Sequence, residues 1–195
     1  MYKRQIYNSL NAIASFVRTD PDRARSLLLE FADFTRYSFR RHGDFTTLAE
    51  ELHSIERYLL LEQARFGDRL SVKLSIAPEV LPVAVPFLCI QPLVENAVRH
   101  GLEGADGTGT IVISARDRGQ ECLIEVEDDG AGEDPEKVRR ALAGDASTDS
   151  IGLGNVDARL RATYGDDYGL VVETAPGAGT KVTVRVPKFA PGVAT

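Results

Sequence analysis

The stretch Gln91-Pro-Leu-Val-Glu-Asn-Ala-Val-Arg-His-Gly-Leu102 carries the most informative pattern in this chain. Its apolar residues recur at helical spacing, which predicts a helix with one buried side. Four polar side chains, paired at a spacing of four residues, share one ridge of that helix: Glu95 with Arg99, and Asn96 with His100. A solvated helix face gives a similar pattern, but asparagine is a poor helix former in mid-helix. An amide oxygen there is a suitable ligand for Mg²⁺, which commonly bridges nucleotide phosphates.

A strand that runs into two acids and two glycines follows, in Val126-Glu-Asp-Asp-Gly-Ala-Gly132. Gly130 and Gly132 permit positive φ angles and a close approach of the backbone to a ligand. A carboxylate at the end of a strand can accept a hydrogen bond from the exocyclic amine of a nucleobase. An ordinary Asp-Asp-Gly turn explains this segment, taken alone, equally well.

Two further glycine-rich segments complete the set. In Ser150-Ile-Gly-Leu-Gly-Asn-Val-Asp-Ala-Arg159 a loop leads into a helix that we predict over residues 153–164. The N–H groups at a helix N-terminus suit phosphate, and an arginine four residues after an asparagine could pair with its oxygens. Gly177-Ala-Gly-Thr-Lys-Val182 is either a simple hairpin turn or a place where a threonine hydroxyl reaches a base edge. Each segment is a weak signal alone, because glycine loops are common.

The rest of the chain predicts an α+β fold, with an N-terminal antiparallel helical segment before a sandwich of helices and strands. Thr47 and Glu50 form a capping box that starts the third of three N-terminal helices, and Asp20-Pro21 starts the second. A plain helical bundle or a dimerisation arm would show the same periodicity. Helices are predicted over residues 6–17, 21–40, 47–66, 87–100, 135–143 and 153–164, and strands over 70–76, 110–115, 122–126, 169–174 and 180–186. The composition changes near residues 67–70, which predicts a helical region at 6–67 and a second domain at 70–187.

Composition narrows the classes of function. The 195 residues are 43% hydrophobic and 27% charged, which is ordinary for a globular protein. The net charge of −6 argues against a nucleic-acid-binding surface. No run of 18 apolar residues is present, so no membrane contact is expected of this segment. Cys89 and Cys122 lie among apolar residues, which predicts two buried thiols in a reducing compartment and no disulfide.

The order and spacing of the four segments resemble the GHKL ATPase family, shared by gyrase, histidine kinases and the mismatch-repair ATPase. The resemblance covers residues 70–187 and implies the family's sandwich with a mixed sheet. Tyr7-Asn-Ser-Leu-Asn11, Thr47-Leu-Ala-Glu-Glu-Leu52 and Tyr58-Leu-Leu-Leu-Glu62 extend it to the LytS-type sensor histidine kinases. In that family the Asn-bearing helix also reads Gln-Pro-Leu-Val-Glu-Asn-Ala, followed by a basic residue and His-Gly.

The resemblance implies that ATP and Mg²⁺ bind. Asn96 would hold Mg²⁺, Asp128 would bind the adenine amine, and Glu95 would be the catalytic base or the carboxylate that orients water. Residues 144–150 would form a flexible lid over the phosphates. The other residues expected at the ATP site are Arg99, His100, Gly130, Gly132, Gly152, Leu153, Gly154, Asn155, Arg159 and Thr180.

The sequence departs from the family pattern at three positions. Ser150 stands in place of the first glycine of the phosphate loop, and Asp129 stands where the family often has asparagine. Arg4 occupies the position of the phosphoacceptor histidine, which the family carries within Pro-His-Phe-Leu. Arginine stays protonated and cannot serve as that nucleophile. The three histidines lie elsewhere, at His42, His53 and His100.

Three functions therefore compete. The leading hypothesis is a kinase core that transfers the γ-phosphoryl group of ATP to a histidine and on to a response-regulator receiver domain. The substitution at Arg4 keeps open a non-phosphorylating, ATP-binding dimeric signalling module, and a third alternative is another GHKL ATPase or serine kinase. We expect a homodimer through the N-terminal helices. We also expect a cytoplasmic location for this chain, with the full-length protein anchored in the membrane through a missing sensor region.

Overall fold

The computed structural model describes residues 3–39, 44–102, 107–143 and 151–189, and within them the chain has the predicted α+β fold. The helices are α1 (Lys3–Phe16), α2 (Pro21–Phe39), α3 (Leu48–Phe66), α4 (Gln91–Gly101), α5 (Pro135–Leu142) and α6 (Ile151–Tyr164). The strands are β1 (Phe45–Thr47), β2 (Leu70–Ile76), β3 (Ala84–Pro86), β4 (Gly109–Arg118), β5 (Glu121–Asp128), β6 (Val171–Thr174) and β7 (Thr180–Pro187). Short 3₁₀ helices lie at Gly67–Arg69, Pro78–Val80 and Asp166–Tyr168.

The main sheet is mixed, as expected, with strand order β2-β4-β5-β7-β6. β2 runs parallel to β4, and the other three pairs are antiparallel. Alternate residues on β4 and β7 face the core, because side chains of a strand alternate between its two faces. The buried set on these two strands is Ile111, Ile113, Ala115, Val182, Val184 and Val186. α4 covers β4 and β5 on this buried face, and α6 packs on α4.

The three N-terminal helices pack on one another and join the same core. Phe34 of α2 is buried and stacks at a tilt on Tyr58 of α3, with ring centroids 6.0 Å apart. Arg57 of α3 pairs with two acids of α2, Glu30 and Asp33, at 3.6 and 3.7 Å. The buried apolar cluster runs without a break from the N-terminal helices into the sheet.

α3 is also tied to the chain before α4. Its start follows β1, a three-residue strand that pairs antiparallel with β3 and that the sequence did not predict. The backbone N–H groups of Leu48 and Ala49 donate to the carbonyl oxygens of Val83 and Leu81. The predicted capping box is present: the Glu50 N–H donates to the hydroxyl of Thr47, and the Glu50 carboxylate accepts from the Thr47 N–H. The division into regions 6–67 and 70–187 stays a prediction.

The helix starts of α1, α4 and α6 differ from the sequence prediction. α1 begins at Lys3 rather than at residue 6. α4 begins at Gln91 rather than at residue 87, because Leu88 has a φ of 55°, which a helix cannot contain. α6 begins at Ile151, so Gly152, Leu153 and Gly154 lie in its first turn rather than in or at the end of a loop. A Cβ on Gly154 would lie 2.7 Å from the Ala141 carbonyl oxygen, so α5 and α6 approach closely there. The predicted lid, residues 144–150, and His42 lie outside the described residues.

Candidate nucleotide-binding site

α4 presents the predicted polar ridge at the edge of the core. Its buried side includes Leu93 and Val94, and this side fixes the rotation of the helix. On the ridge, the Arg99 guanidinium donates to the Asn96 side-chain oxygen at 2.8 Å and lies 2.9 Å from His100 Nε2. The three side chains therefore form one connected group, with Asn96 and His100 half-buried and Arg99 exposed.

Asp128 lies at the end of β5, against the last turn of α4. It is 5% exposed, and its Oδ1 accepts from the Gly130 N–H at 3.0 Å. A Cβ placed on Gly101 of α4 would lie 3.5 Å from the Asp128 Cβ. Burial raises the pKa of Asp128 from its ordinary value of 3.8 to about 6, against the opposing effects of the Gly130 N–H and the His100 charge. A desolvated carboxylate of this kind is a strong acceptor for an amine donor.

The predicted glycines let three segments meet around this carboxylate. A Cβ on Gly130 would lie 2.3 Å from the His100 carbonyl oxygen, so any side chain would push the end of α4 away. Gly132 has a φ of 65°, and a Cβ there would lie 2.0 Å from the Ala175 carbonyl oxygen. Both glycines therefore permit close chain-to-chain contact at the predicted base pocket.

Thr180 faces the same region from the neighbouring strand. It is the register partner of Asp128 in the β5–β7 pair, so the two side chains lie on one face of the sheet. Its hydroxyl is 3.1 Å from that of Thr174, which accepts from the Glu133 N–H at 2.9 Å. These contacts join the strand end to the turn that follows Gly132.

The remaining predicted residues lie on α6, which packs on α4. Leu153 is buried and anchors the helix, whereas Asn155 is exposed. Arg159 lies one turn further on, and its guanidinium donates to the Phe87 carbonyl oxygen. In this conformation Arg159 therefore holds the segment before α4, a contact that the sequence did not predict.

Glu95 is oriented through a relay that starts on α3. Its carboxylate accepts from the Gln91 side-chain amide at 2.8 Å, and the Gln91 oxygen accepts from the Ser54 hydroxyl at 3.3 Å. Gln91 and Ser54 are buried, and Glu95 is half-buried. The carboxylate that the sequence assigned a catalytic role is thus held on α4 beside Asn96.

Sequence reasoning missed one buried acid next to this site, Glu51 of α3. Its carboxylate accepts from the backbone N–H groups of Leu88, Ile90 and Gln91 at 2.9, 3.4 and 3.3 Å. A signal was present, because Glu51 falls on the apolar stripe of α3 between Leu48 and Ile55. An ionisable residue on a buried stripe requires a partner elsewhere in the fold.

The donor set fits a nucleotide with its metal. A buried acceptor lies beside the last turn of α4, the ridge of α4 carries an amide and basic groups, and α6 packs on α4. Within the described residues no group of three or more His, Cys, Asp or Glu side chains could hold a metal ion. A Mg²⁺ ion at Asn96 would therefore take most of its remaining ligands from phosphates and water, as this ion commonly does.

A separate cavity of 290 Å³ lies between α3 and β2. Its lining is mostly apolar and includes Leu52, Leu74 and Ile76, with His53 and Glu56 among the lining residues. None of the predicted site residues lines it. The convergence of polar groups at α4, and not this cavity, therefore locates the candidate site.

Two family models match this chain. Residues 5–70 match the histidine kinase family, and residues 85–190 match the family described as histidine kinase-, DNA gyrase B- and HSP90-like ATPase. The second match spans more than half of the chain, which therefore belongs to this ATPase family. The relatives described next carry the names of sensor kinases.

The chain is similar to the sensor histidine kinase BtsS of Escherichia coli K12, with 36% identity over 182 residues, 93% of this chain and 31% of BtsS. It is 36% identical to the sensor protein LytS of Staphylococcus haemolyticus over 187 residues, 93% of this chain and 32% of LytS. The chain thus spans about a third of the length of these relatives.

Two solved structures share the fold. The histidine kinase AdeS of Acinetobacter baumannii aligns with a TM-score of 0.56 and 16% identity, over 86% of this chain and 79% of that one. The catalytic domain of the histidine kinase ThkA aligns with a TM-score of 0.55 and 18% identity, over 74% of this chain and 94% of that one. At these identities the likeness concerns the fold alone.

Proposed function

We propose that this chain binds Mg-ATP and serves as the catalytic core of a sensor histidine kinase that transfers the γ-phosphoryl group to a histidine. The observation that carries the proposal is the buried carboxylate of Asp128 at the end of β5, directly beside the last turn of α4. One helix thereby brings an adenine acceptor and a phosphate-facing ridge into a single site. The match of residues 5–70 to histidine kinases supports the choice of phosphoryl acceptor.

Each group in the site has a role that follows from its chemistry. Asp128 accepts from the adenine amine, and Thr180 borders the base on the neighbouring strand. Asn96 provides an oxygen to Mg²⁺, which neutralises phosphate charge when it is bound. The Glu95 carboxylate orients or deprotonates the attacking group. The groups proposed to contact phosphates are Arg99, His100, Arg159, Asn155 and the backbone of Gly152, Leu153 and Gly154.

The residues contribute mainly by position and charge, as is usual for phosphoryl transfer. Arg99 contacts both Asn96 and His100, so the basic groups of the ridge are held in place before a ligand arrives. Burial keeps the Asp128 pocket poorly hydrated, which strengthens its hydrogen bond to an amine. Gly130 and Gly132 let the backbone segments around Asp128 approach one another closely.

The proposed partners follow from the helical region. Exposed apolar side chains on α1, α2 and the turn between them support a homodimer through these helices: Tyr7, Leu10, Val17, Leu28 and Leu29. Light scattering should give a dimer for the whole chain; a monomer at high micromolar concentration would contradict this. A receiver domain of a response regulator is the proposed acceptor of the phosphoryl group. None of the described helices is long and apolar enough to cross a membrane, and anchoring of the full-length protein stays a proposal.

Arg4 favours a second candidate, an ATP-binding dimer that signals by conformation without phosphorylating itself. Its guanidinium offers no nucleophilic lone pair at neutral pH. Titration with Mg-ATP followed by radiolabelling separates the two candidates. Binding together with an acid-labile phosphoryl group in a variant with Pro-His-Phe-Leu restored before Tyr7 supports the kinase, whereas binding without any label in that variant supports the signalling module.

A further inference from the structure

The carboxylate of Glu51, on α3, caps the N-terminus of α4, a helix in another part of the chain. The Ile90 and Gln91 N–H groups lie 39 and 40 residues after Glu51, and both point at its Oε1. Oε2 accepts from the Leu88 N–H. The side chain is 0% exposed, so these three donors are satisfied inside the protein and not by water.

α4 has no cap of its own. The N-cap position is Ile90, whose side chain cannot accept a hydrogen bond, and Pro92 has no N–H to offer. The first N–H groups of a helix lack partners within it and carry its positive dipole end. A carboxylate from α3 therefore does for α4 what a local serine or aspartate does for most helices.

The segment that donates to Glu51 also accepts a hydrogen bond from α6. Arg159 of α6 donates to the Phe87 carbonyl oxygen, one residue before the N–H that Glu51 accepts. Between these contacts Leu88 has a φ of 55°, an uncommon conformation for a residue with a side chain. Residues 87–91 are thus hydrogen-bonded to both α3 and α6. These contacts fix the start of α4, the helix that carries Glu95 and Asn96.

We propose that Glu51 is a positioning residue for the phosphate and metal half of the site, acting through the start of α4. This inference rests on the proposed Mg-ATP function. Asp128, by contrast, belongs to the sheet and is held by β5 and by the glycines around it. Loss of Glu51 should therefore let α4 shift at Glu95 and Asn96 while the base pocket keeps its shape.

The test separates the two halves of the ligand. The affinity for adenosine measures binding at the base pocket alone. The affinity for Mg-ATP measures binding at the base pocket and at the α4 ridge together. NMR titration of the full chain reaches millimolar affinities and gives both dissociation constants. For Glu51→Ala, which removes all three contacts, we expect Mg-ATP to bind about tenfold more weakly, within the range usual for coupled sites. Glu51→Gln keeps one acceptor oxygen and should give a smaller loss, and adenosine affinity should stay within about twofold in both.

Glu50→Ala is the matched control. Glu50 lies in the same first turn of α3, where its carboxylate accepts from the Thr46 hydroxyl and the Thr47 N–H and its own N–H donates to the Thr47 hydroxyl. This variant should lower thermal stability through loss of the capping box and leave both dissociation constants near those of the wild type. It therefore removes general weakening of α3 as an explanation for a selective loss of Mg-ATP binding.

Three results would overturn the proposal: unchanged Mg-ATP affinity in both Glu51 variants, an equal loss for adenosine and Mg-ATP, or a Glu50→Ala variant that loses Mg-ATP selectively. If Glu51→Ala does not fold, the same comparison with Glu51→Gln decides. Failure of the proposed function gives a different result, because the wild-type chain would then bind neither ligand.

Discussion

Replacement of Asp128 by asparagine should stabilise the free protein while it weakens nucleotide binding. The Asp128 pKa is raised from 3.8 to about 6 by burial, so the folded state resists its ionisation. A difference of about 2 pKa units corresponds to about 3 kcal/mol in the free energy of unfolding at neutral pH. Asparagine has the same size and carries no charge, so Asp128→Asn should recover up to about 3 kcal/mol, less any part due to the Gly130 N–H bond.

The direction of the pH dependence follows from the raised pKa. A carboxyl group with a higher pKa in the folded state stabilises the fold in acid, and this contribution is lost as the pH rises from about 4 to about 6. The stability difference between variant and wild type should therefore be small at pH 3.5 and reach its maximum above pH 7. Other carboxyl groups titrate in both proteins and cancel in the difference.

Binding should change in the opposite direction. The asparagine amide can present a donor to the adenine amine, and a hydrogen bond to a charged group is worth about 1.5–3 kcal/mol. Mg-ATP affinity should therefore fall by about 10- to 150-fold in Asp128→Asn. Wild-type affinity should also fall as the pH drops through about 6, where Asp128 takes up its proton beside His100 and Asp129.

Urea denaturation across this pH range gives the free energy of unfolding of both proteins, and calorimetry gives their affinity for Mg-ATP. The assignment of Asp128 would be refuted by unchanged affinity in the variant. A variant that is less stable than the wild type at pH 7.5 would show instead that the Gly130 contact outweighs the cost of the buried charge.

Three further substitutions test other parts of the site. Asn96→Ala should abolish the gain in ATP affinity that Mg²⁺ gives, while affinity without Mg²⁺ changes little; calorimetry with and without EDTA measures this. Gly132→Ala should destabilise the fold by about 1–3 kcal/mol in urea denaturation, since φ is 65° and the Cβ would meet Ala175. The chain with Arg4 should acquire no acid-labile label from radiolabelled ATP, whereas Pro-His-Phe-Leu restored before Tyr7 should recover labelling; strong labelling of the unaltered chain would contradict the placement of the phosphoacceptor.

Local patterns predicted those parts of the fold whose causes lie within a few residues. The alternation in Leu-Ser-Val-Lys-Leu-Ser-Ile predicted both the first and the last residue of β2. The spacing of Thr47 and Glu50 predicted the start of α3. The polar ridge of α4 and the end of a strand at Asp128 were also predictable from the sequence, because each belongs to a single element. The meeting of these elements in one site came from the family resemblance.

Features that depend on distant contacts were not predictable. β1 and β3 have three residues each, too few to show a period, and they form only because they pair with each other. Arg159 binds a carbonyl oxygen 72 positions away, and Glu51 caps a helix some 40 positions away. The early start of α6 was missed because glycines weaken a helix prediction, whereas here Gly154 is required by the contact with Ala141.

The most direct test of the Mg-ATP site is a map of amide chemical-shift changes on titration of the whole chain with Mg-ATP. A saturable response is predicted at micromolar-to-millimolar ligand, centred on α4 near Asn96 and His100, on Asp128 to Gly132, and on the first turns of α6. A response centred instead on the cavity between α3 and β2, around Leu52 and Leu74, would contradict the site assigned here, and so would no response at 10 mM ligand, about tenfold above the weakest affinity expected.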